Sequence, residues 1–353
     1  MKRVTFLVIV ITILQLWCVP KIYAQACPAC SNPALQSSEK LEAGLDTLHK
    51  GAFRITLNAT NGFNYRGGHP NQRGLSPDGR VIEVPLHDHQ VNLDFLRTEL
   101  ALEYTFASNW AVWLRLPYDI KMQTASVAFV NPVTEYEKEA ILRNRDIHHR
   151  TENYTGISDL RLLAARRFIG FLSPKGRLDL AFGTSLPIGK TEQNPLLLGR
   201  EGKKHLHIQF GTGTFDPLLE LHYAMGVSNQ LSFAFYTINK ISLYRNSKTY
   251  QGPFETTTGF SFGYKATNRL TPRLTFANFS QSQAKWNGEK DPNSGLVSWS
   301  LTGSLTVRFK NGLTLTPGYR YPVAQKALSG DGDTFKYGPT FTLNVSFMFN
   351  NAN

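Results

Sequence analysis

Apolar and polar residues alternate with a period of two along most of this chain, which places successive side chains on opposite faces of an extended strand. The clearest run is 110–122. Trp110, Val112, Leu114, Leu116, Tyr118, Ile120 and Met122 share one face, and Ala111, Trp113, Arg115, Pro117, Asp119 and Lys121 share the other. That run is about twice as long as a typical globular strand of roughly 5–6 residues. It suits a tilted strand that crosses a bilayer with an apolar outside and a polar inside. The pattern predicts twelve strands, centred on 53–59, 96–106, 110–122, 160–168, 178–188, 215–225, 231–235, 260–264, 274–276, 299–309, 313–323 and 341–349.

The connections between these segments alternate in length. Short polar turns fall near 107–109, 173–176, 227–229, 267–269 and 310–312, and longer segments near 66–90, 123–156, 190–213, 245–253, 282–296 and 324–337. Short turns on one side and long loops on the other are the asymmetry of outer-membrane barrels, with the turns in the periplasm. The expected fold is therefore all-β: one transmembrane antiparallel β-barrel of about twelve strands over residues 51–349, with both ends periplasmic and a tail at 350–353. The last predicted strand aligns Phe341, Leu343, Val345, Phe347 and Phe349 on one face. It must pair with the first, because an open edge in lipid leaves backbone groups without partners. Such an aromatic-ended strand is also what the barrel assembly machinery would engage.

The N-terminus changes the picture from membrane barrel to exported barrel. Lys2 and Arg3 precede an apolar run at 4–19, and Ala24-Gln25-Ala26 forms a small-x-small cleavage site. Residues 1–26 are read as a signal peptide in preference to an anchor, since the run is short for a span. A lipoprotein acylated at Cys27 ranks below cleavage because position 24 is Ala rather than Leu. No second long apolar run follows, and closed barrels are the remaining way to satisfy every backbone group in lipid. Residues 27–50 form a periplasmic segment carrying Cys27-Pro28-Ala29-Cys30. In an oxidising compartment that pair reads first as a passive disulfide or tether, and second as a soft-metal site.

Charge narrows the partners. The chain carries a formal +12, and removing Lys2, Arg3 and Lys21 leaves 12 − 3 = +9. Export argues against nucleic acid, so lipopolysaccharide, membrane lipid and small solutes are the expected partners. Charges recur on the inward face of the predicted strands. Arg54, Arg97, Glu99, Arg115, Asp119, Arg161, Asp216, Glu220, His222 and Arg320 are the pore-lining candidates. They can fill the barrel as a salt-bridged plug, select a solute, or do both, since buried charges must pair.

Catalytic signatures are absent from the sequence. Residues 183–191 read GTSLPIGKT, but five residues separate the two glycines where a phosphate loop has four, and the run alternates as a strand. No Gly-x-Ser-x-Gly elbow occurs, and no cofactor is implied. Histidines come in pairs: His87 and His89, His148 and His149, His205 and His207. Such pairs can bind Zn or Cu, but solvated loop histidines are the preferred reading. Cys27, Cys30, His87 and His89 remain the metal candidates.

Three motifs follow one another: Gly156-Ile157-Ser158-Asp159-Leu160, then Leu186-Pro187-Ile188-Gly189, then Gly211-Thr212-Gly213-Thr214-Phe215-Asp216-Pro217. In this order they resemble the bacterial barrel family associated with the MetA pathway of phenol degradation, which carries G-x-x-D-L, L-P-x-G and G-T-G-x-x-D-P. Phe215 stands where the family often has Trp, and the leading CxxC is foreign to its pattern. The resemblance implies an outer-membrane channel or transporter for a small solute, with aromatic or hydrophobic compounds among the candidates. The alternative is a structural or metal-handling barrel that uses the CxxC and the loop histidines.

Overall fold

The computed structural model describes residues 50–206, 209–328 and 334–349. The segments read as signal peptide and CxxC tether, with Cys27 and Cys30, lie outside them. Among the described residues no helix is long and apolar enough to cross a membrane.

Twelve antiparallel strands close into one barrel. They are β1 Phe53–Leu75, β2 Val81–Ala107 and β3 Trp110–Phe129, then β4 in two pieces, Glu152–Ile157 and Leu160–Ile169. Next come β5 Gly176–Leu186, β6 Pro217–Gly226, β7 Leu231–Lys240 and β8 Glu255–Tyr264. The last four are β9 Leu270–Gln281, β10 Leu296–Arg308, β11 Leu313–Ala327 and β12 Thr340–Phe349. Each of the twelve predicted segments falls on one of these strands. β12 pairs with β1 from Phe53↔Phe349 to Gly62↔Thr340, so the ring leaves no barrel edge open in lipid.

Burial follows the predicted alternation. Along β3, Val112, Tyr118 and Met122 are exposed, while Trp113, Arg115, Asp119 and Lys121 are buried. The outward side chains face hydrocarbon, where a large apolar surface is stable. Arg166 is the outward exception on β4. It lies near the short-turn end, its guanidinium 5.4 Å from the Trp110 ring centre and 5.2 Å from that of Phe168. That position lets the stem cover apolar surface while the charge reaches the interface.

The structure departs from the expected loops in three places. Residues 66–90 form most of a hairpin extension rather than a loop, paired from Tyr65↔Leu93 to Leu75↔Val81. A tight turn closes it: Ser76 Oγ donates to the Arg80 carbonyl at 2.9 Å, and Gly79 takes φ 86°. The segment 123–156 carries α1, Glu135–His148. The Thr134 hydroxyl accepts from Glu137 N, and Glu137 reaches back to Thr134 N at 2.7 Å, so the helix start is capped in both directions. α1 packs on the hairpin through Ala140, Ile141 and Val84, and Asn144 Nδ2 donates to the Arg73 carbonyl at 2.9 Å. The segment 190–213 carries α2, Pro195–Arg200, capped by Asn194. Leu196 of α2 packs on Tyr250, Ala284 and Trp286, in or beside a small three-stranded sheet built from the 245–253 and 282–296 loops.

Candidate functional site

The interior is divided. The wall made by β1–β6 is ionic. Arg97 donates to Asp119 through Nε at 2.6 Å and Nη2 at 2.5 Å, and Ser158 Oγ donates to the same carboxylate. Arg54 lies 3.9 Å from Glu103, Arg167 lies 3.5 Å from Glu103 and 3.0 Å from Asp179, and Arg161 lies 3.9 Å from Glu99. The strongest link runs across the interior from β3 to β6. Arg115 grips both Glu220 oxygens at 2.7 and 2.8 Å, and each side chain is 1% exposed. His222 Nε2 meets the same carboxylate at 2.8 Å, and the His222 ring sits edge-on to Trp113.

The wall made by β8–β12 carries fewer charges, Glu255, Arg273 and Arg320, among buried hydroxyl side chains that include Thr257, Ser261, Thr302, Thr306 and Thr316. An apolar cluster joins the two halves: Tyr65 and Phe95 with Tyr236, Ile238, Phe279, Leu296 and Tyr337. Glycines let two of these rings lie flat against the wall. A Cβ at Gly62 would stand 2.0 Å from Phe95, and one at Gly259 would stand 2.5 Å from Tyr236.

All the described pore-lining candidates point inward. Arg54, Arg97, Glu99, Arg115, Asp119, Arg161, Glu220 and His222 join the ionic wall just described. Arg320 is buried on the opposite wall at 7% exposure. Asp216 has a local task. It accepts from Thr214 Oγ1 at 2.7 Å, and its N–H donates to Ser185 Oγ at 3.1 Å.

The three family-like motifs meet at the outer end. The Asp159 carboxylate accepts from Gly189 N at 3.0 Å, Thr212 N at 2.8 Å and Thr212 Oγ1 at 3.0 Å. Gly189 and Gly211 approach so closely that a Cβ on either would stand 2.8 Å from the other backbone. The motifs therefore tie the 190–213 loop to β4 and set the shape of the mouth. Beside this knot is a cavity lined by Arg161, Phe210, Lys240, Tyr250 and Glu255. Lys240 and Glu255, register partners on β7 and β8, pair side by side in its wall at 2.9 Å, and the Lys121 ammonium sits 4.9 Å from the Phe210 ring centre. Phe210 and Tyr250 were not singled out in the sequence, because neither lies in a periodic run.

The histidines are not solvated loop residues. His87 and His89 are buried at 0% exposure, and His149 and His205 at 4% and 7%. His69 lies directly opposite His89 on β1, and α1 brings in His148 and His149 at its C-terminal end. Ligand atoms of His69, His89, His148 and His149 lie within 4.8 Å of one another. His69 was not a sequence candidate, since the pairing that brings it in lies in the segment read as a loop. His207 lies outside the described residues. A membrane strand needs about 9–11 residues, and β1 and β2 run to 23 and 27, so this cluster stands beyond the bilayer. Burial is the main force holding the His87 and His205 imidazoles below their ordinary pKa, and it favours the neutral ring.

No family model matches the chain, and no curated protein matches it. Among solved structures it is similar to the COG4313 outer membrane channel from Pseudomonas putida F1. That match has a TM-score of 0.55 and 9% identity, over 86% of this chain and 98% of the other. The translocator domain of the autotransporter NalP from Neisseria meningitidis matches at a TM-score of 0.41 and 8% identity, over 88% and 93%. The first likeness is one of fold, and it agrees with an outer-membrane barrel.

Proposed function

We propose that this barrel is an outer-membrane channel for a small solute with an aromatic or hydrophobic body and a polar group. The observation that carries this reading is the mouth cavity, whose lining combines the Phe210 and Tyr250 rings with Arg161 and the Lys240–Glu255 pair. Lining that mixes aromatic and charged groups in this way can orient a small solute at the mouth. Below it, the aromatic cluster and the hydroxyl-lined wall of β8–β12 offer an apolar surface and weak hydrogen-bonding steps toward the periplasm. The motif resemblance to the phenol-degradation barrels and the fold shared with an outer membrane channel support the same reading. The basic balance of the chain suits a lipopolysaccharide-rich outer leaflet.

Reconstituted protein should conduct ions in planar bilayers and admit small phenolic or benzoic solutes into liposomes faster than sugars of equal size. Heat-modifiable, folded protein that passes no ions and no solute would overturn the proposal. Uptake by a deletion strain, compared across candidate solutes, would identify the compound.

A further inference from the structure

We infer that His69, His89, His148 and His149 form a binding site for a divalent late first-row transition-metal ion, and that the ion staples α1 to the β1–β2 hairpin. The site is independent of the transport reading. Three separate chain segments supply it: His69 comes from β1, His89 from β2, and His148 and His149 from the end of α1. Their ligand atoms lie within 4.8 Å of one another. Nitrogens at the corners of a tetrahedral zinc site lie roughly 3.3 Å apart, from bonds of about 2.0–2.1 Å. His89 Nδ1 and His148 Nε2 already stand 3.2 Å apart. The remaining ligand atoms stand within 4.8 Å, and binding the ion would require the rings to turn and close that spacing.

Hydrogen bonds outside the cluster set the tautomer that a ligand needs. His87 Nδ1 lies 2.9 Å from the Pro85 carbonyl, so it carries the proton and leaves Nε2 as an acceptor. His89 Nε2 lies 3.2 Å from that acceptor and therefore donates to it. This assignment leaves the His89 Nδ1 lone pair facing His148. A ligating histidine whose other nitrogen is held by a hydrogen bond is the usual second layer of a metal site. His205 packs behind the cluster. Its Nδ1 is held by the Lys203 carbonyl at 2.8 Å, and its ring stacks on His148 with centres 5.7 Å apart.

The ligand chemistry selects the ion. Four neutral imidazoles with no carboxylate or thiolate among them suit Zn²⁺, Cu²⁺ or Ni²⁺, whereas Mg²⁺ and Ca²⁺ require oxygen. The packing of α1 on the hairpin otherwise rests on a small apolar patch and a few hydrogen bonds. A shared ion would add a cross-link between segments far apart in sequence.

The test uses the full chain folded in detergent, stripped of metal and carrying Cys18→Ser, Cys27→Ser and Cys30→Ser so that the thiols contribute nothing. Calorimetric titration with Zn²⁺ should give one site per chain, and Mg²⁺ should give none. The double variant His69→Ala/His149→Ala should lose at least a hundredfold in affinity. His87→Ala, which removes only the support of His89, should lose about 10–100-fold. Heat-modifiable migration confirms that each variant is folded. Zn²⁺ should also slow proteolysis within 130–150 in the parent and leave the double variant unchanged. Folded parent protein that binds neither Zn²⁺, Cu²⁺ nor Ni²⁺ at 100-micromolar-order concentrations overturns the inference, as does binding that survives intact in the double variant.

Discussion

Changing Arg115 to Met tests whether the interior is as dry as its geometry implies. The guanidinium makes two charge-assisted bonds to Glu220, at 2.7 and 2.8 Å, and both side chains are 1% exposed. Met keeps most of the stem volume beside Trp113 and removes the charge. Among the described residues, Glu220 then keeps His222 as its remaining hydrogen-bond partner, at 2.8 Å. Breaking one side of a buried pair costs about 3–5 kcal/mol, because it leaves a charge out of water without compensation. Removing both charges, in Arg115→Met/Glu220→Met, takes away the desolvation cost together with the attraction, and such replacements are often near neutral. The double variant should therefore cost less than Arg115→Met alone, and the cycle should be strongly non-additive. Urea titration of the protein folded into vesicles, read by the heat-modifiable band shift, measures each corner. A loss under about 1 kcal/mol for Arg115→Met, typical of a solvated surface pair, would refute the reasoning. So would a double variant equal to the sum of the singles. Either result would mean that water reaches this pair freely.

Other outcomes follow from single contacts. Gly259→Ala should push the Tyr236 ring off the β8 wall, since the new Cβ would stand 2.5 Å from it, and should lower solute flux in liposome swelling. The matching control is Gly303→Ala, where nothing lies within 4 Å and flux should not change. Asp159→Ala should release the mouth loop by removing the acceptor for Gly189 and Thr212, at about 1–3 kcal/mol, and limited proteolysis within 190–213 should accelerate. Deleting residues 341–353 removes β12 and its pairing with β1, so heat-modifiable protein should disappear from the outer membrane. Phe349→Ala should only slow assembly, and pulse-chase of the folded band would show it.

Strand number, strand faces and barrel closure were legible because period-two alternation is a local property. A residue two positions along always returns to the same face, so Arg115, Asp119 and Glu220 were recognisable as inward from their neighbours alone. The hairpin extension was not legible. Its residues 66–80 are rich in Gly and Pro, which favour turns, and cross-strand pairing with 81–93 overrides that preference. α1 did leave a signal, Thr134-x-x-Glu137, a capping pattern that went unread because the surrounding segment looked like loop.

What the sequence alone determined is therefore the barrel and its two-faced wall. Tertiary structure decided which inward residues meet. Arg115 and Glu220 are 105 residues apart, and the Asp159–Thr212 and His89–His148 contacts span 53 and 59. These distances depend on strand order, register and the way long loops fold back over the mouth, and no local pattern encodes them. The histidines illustrate the difference. As a sequence they are scattered pairs, and only the pairing of β1 with β2 and the docking of α1 bring four of them to one place.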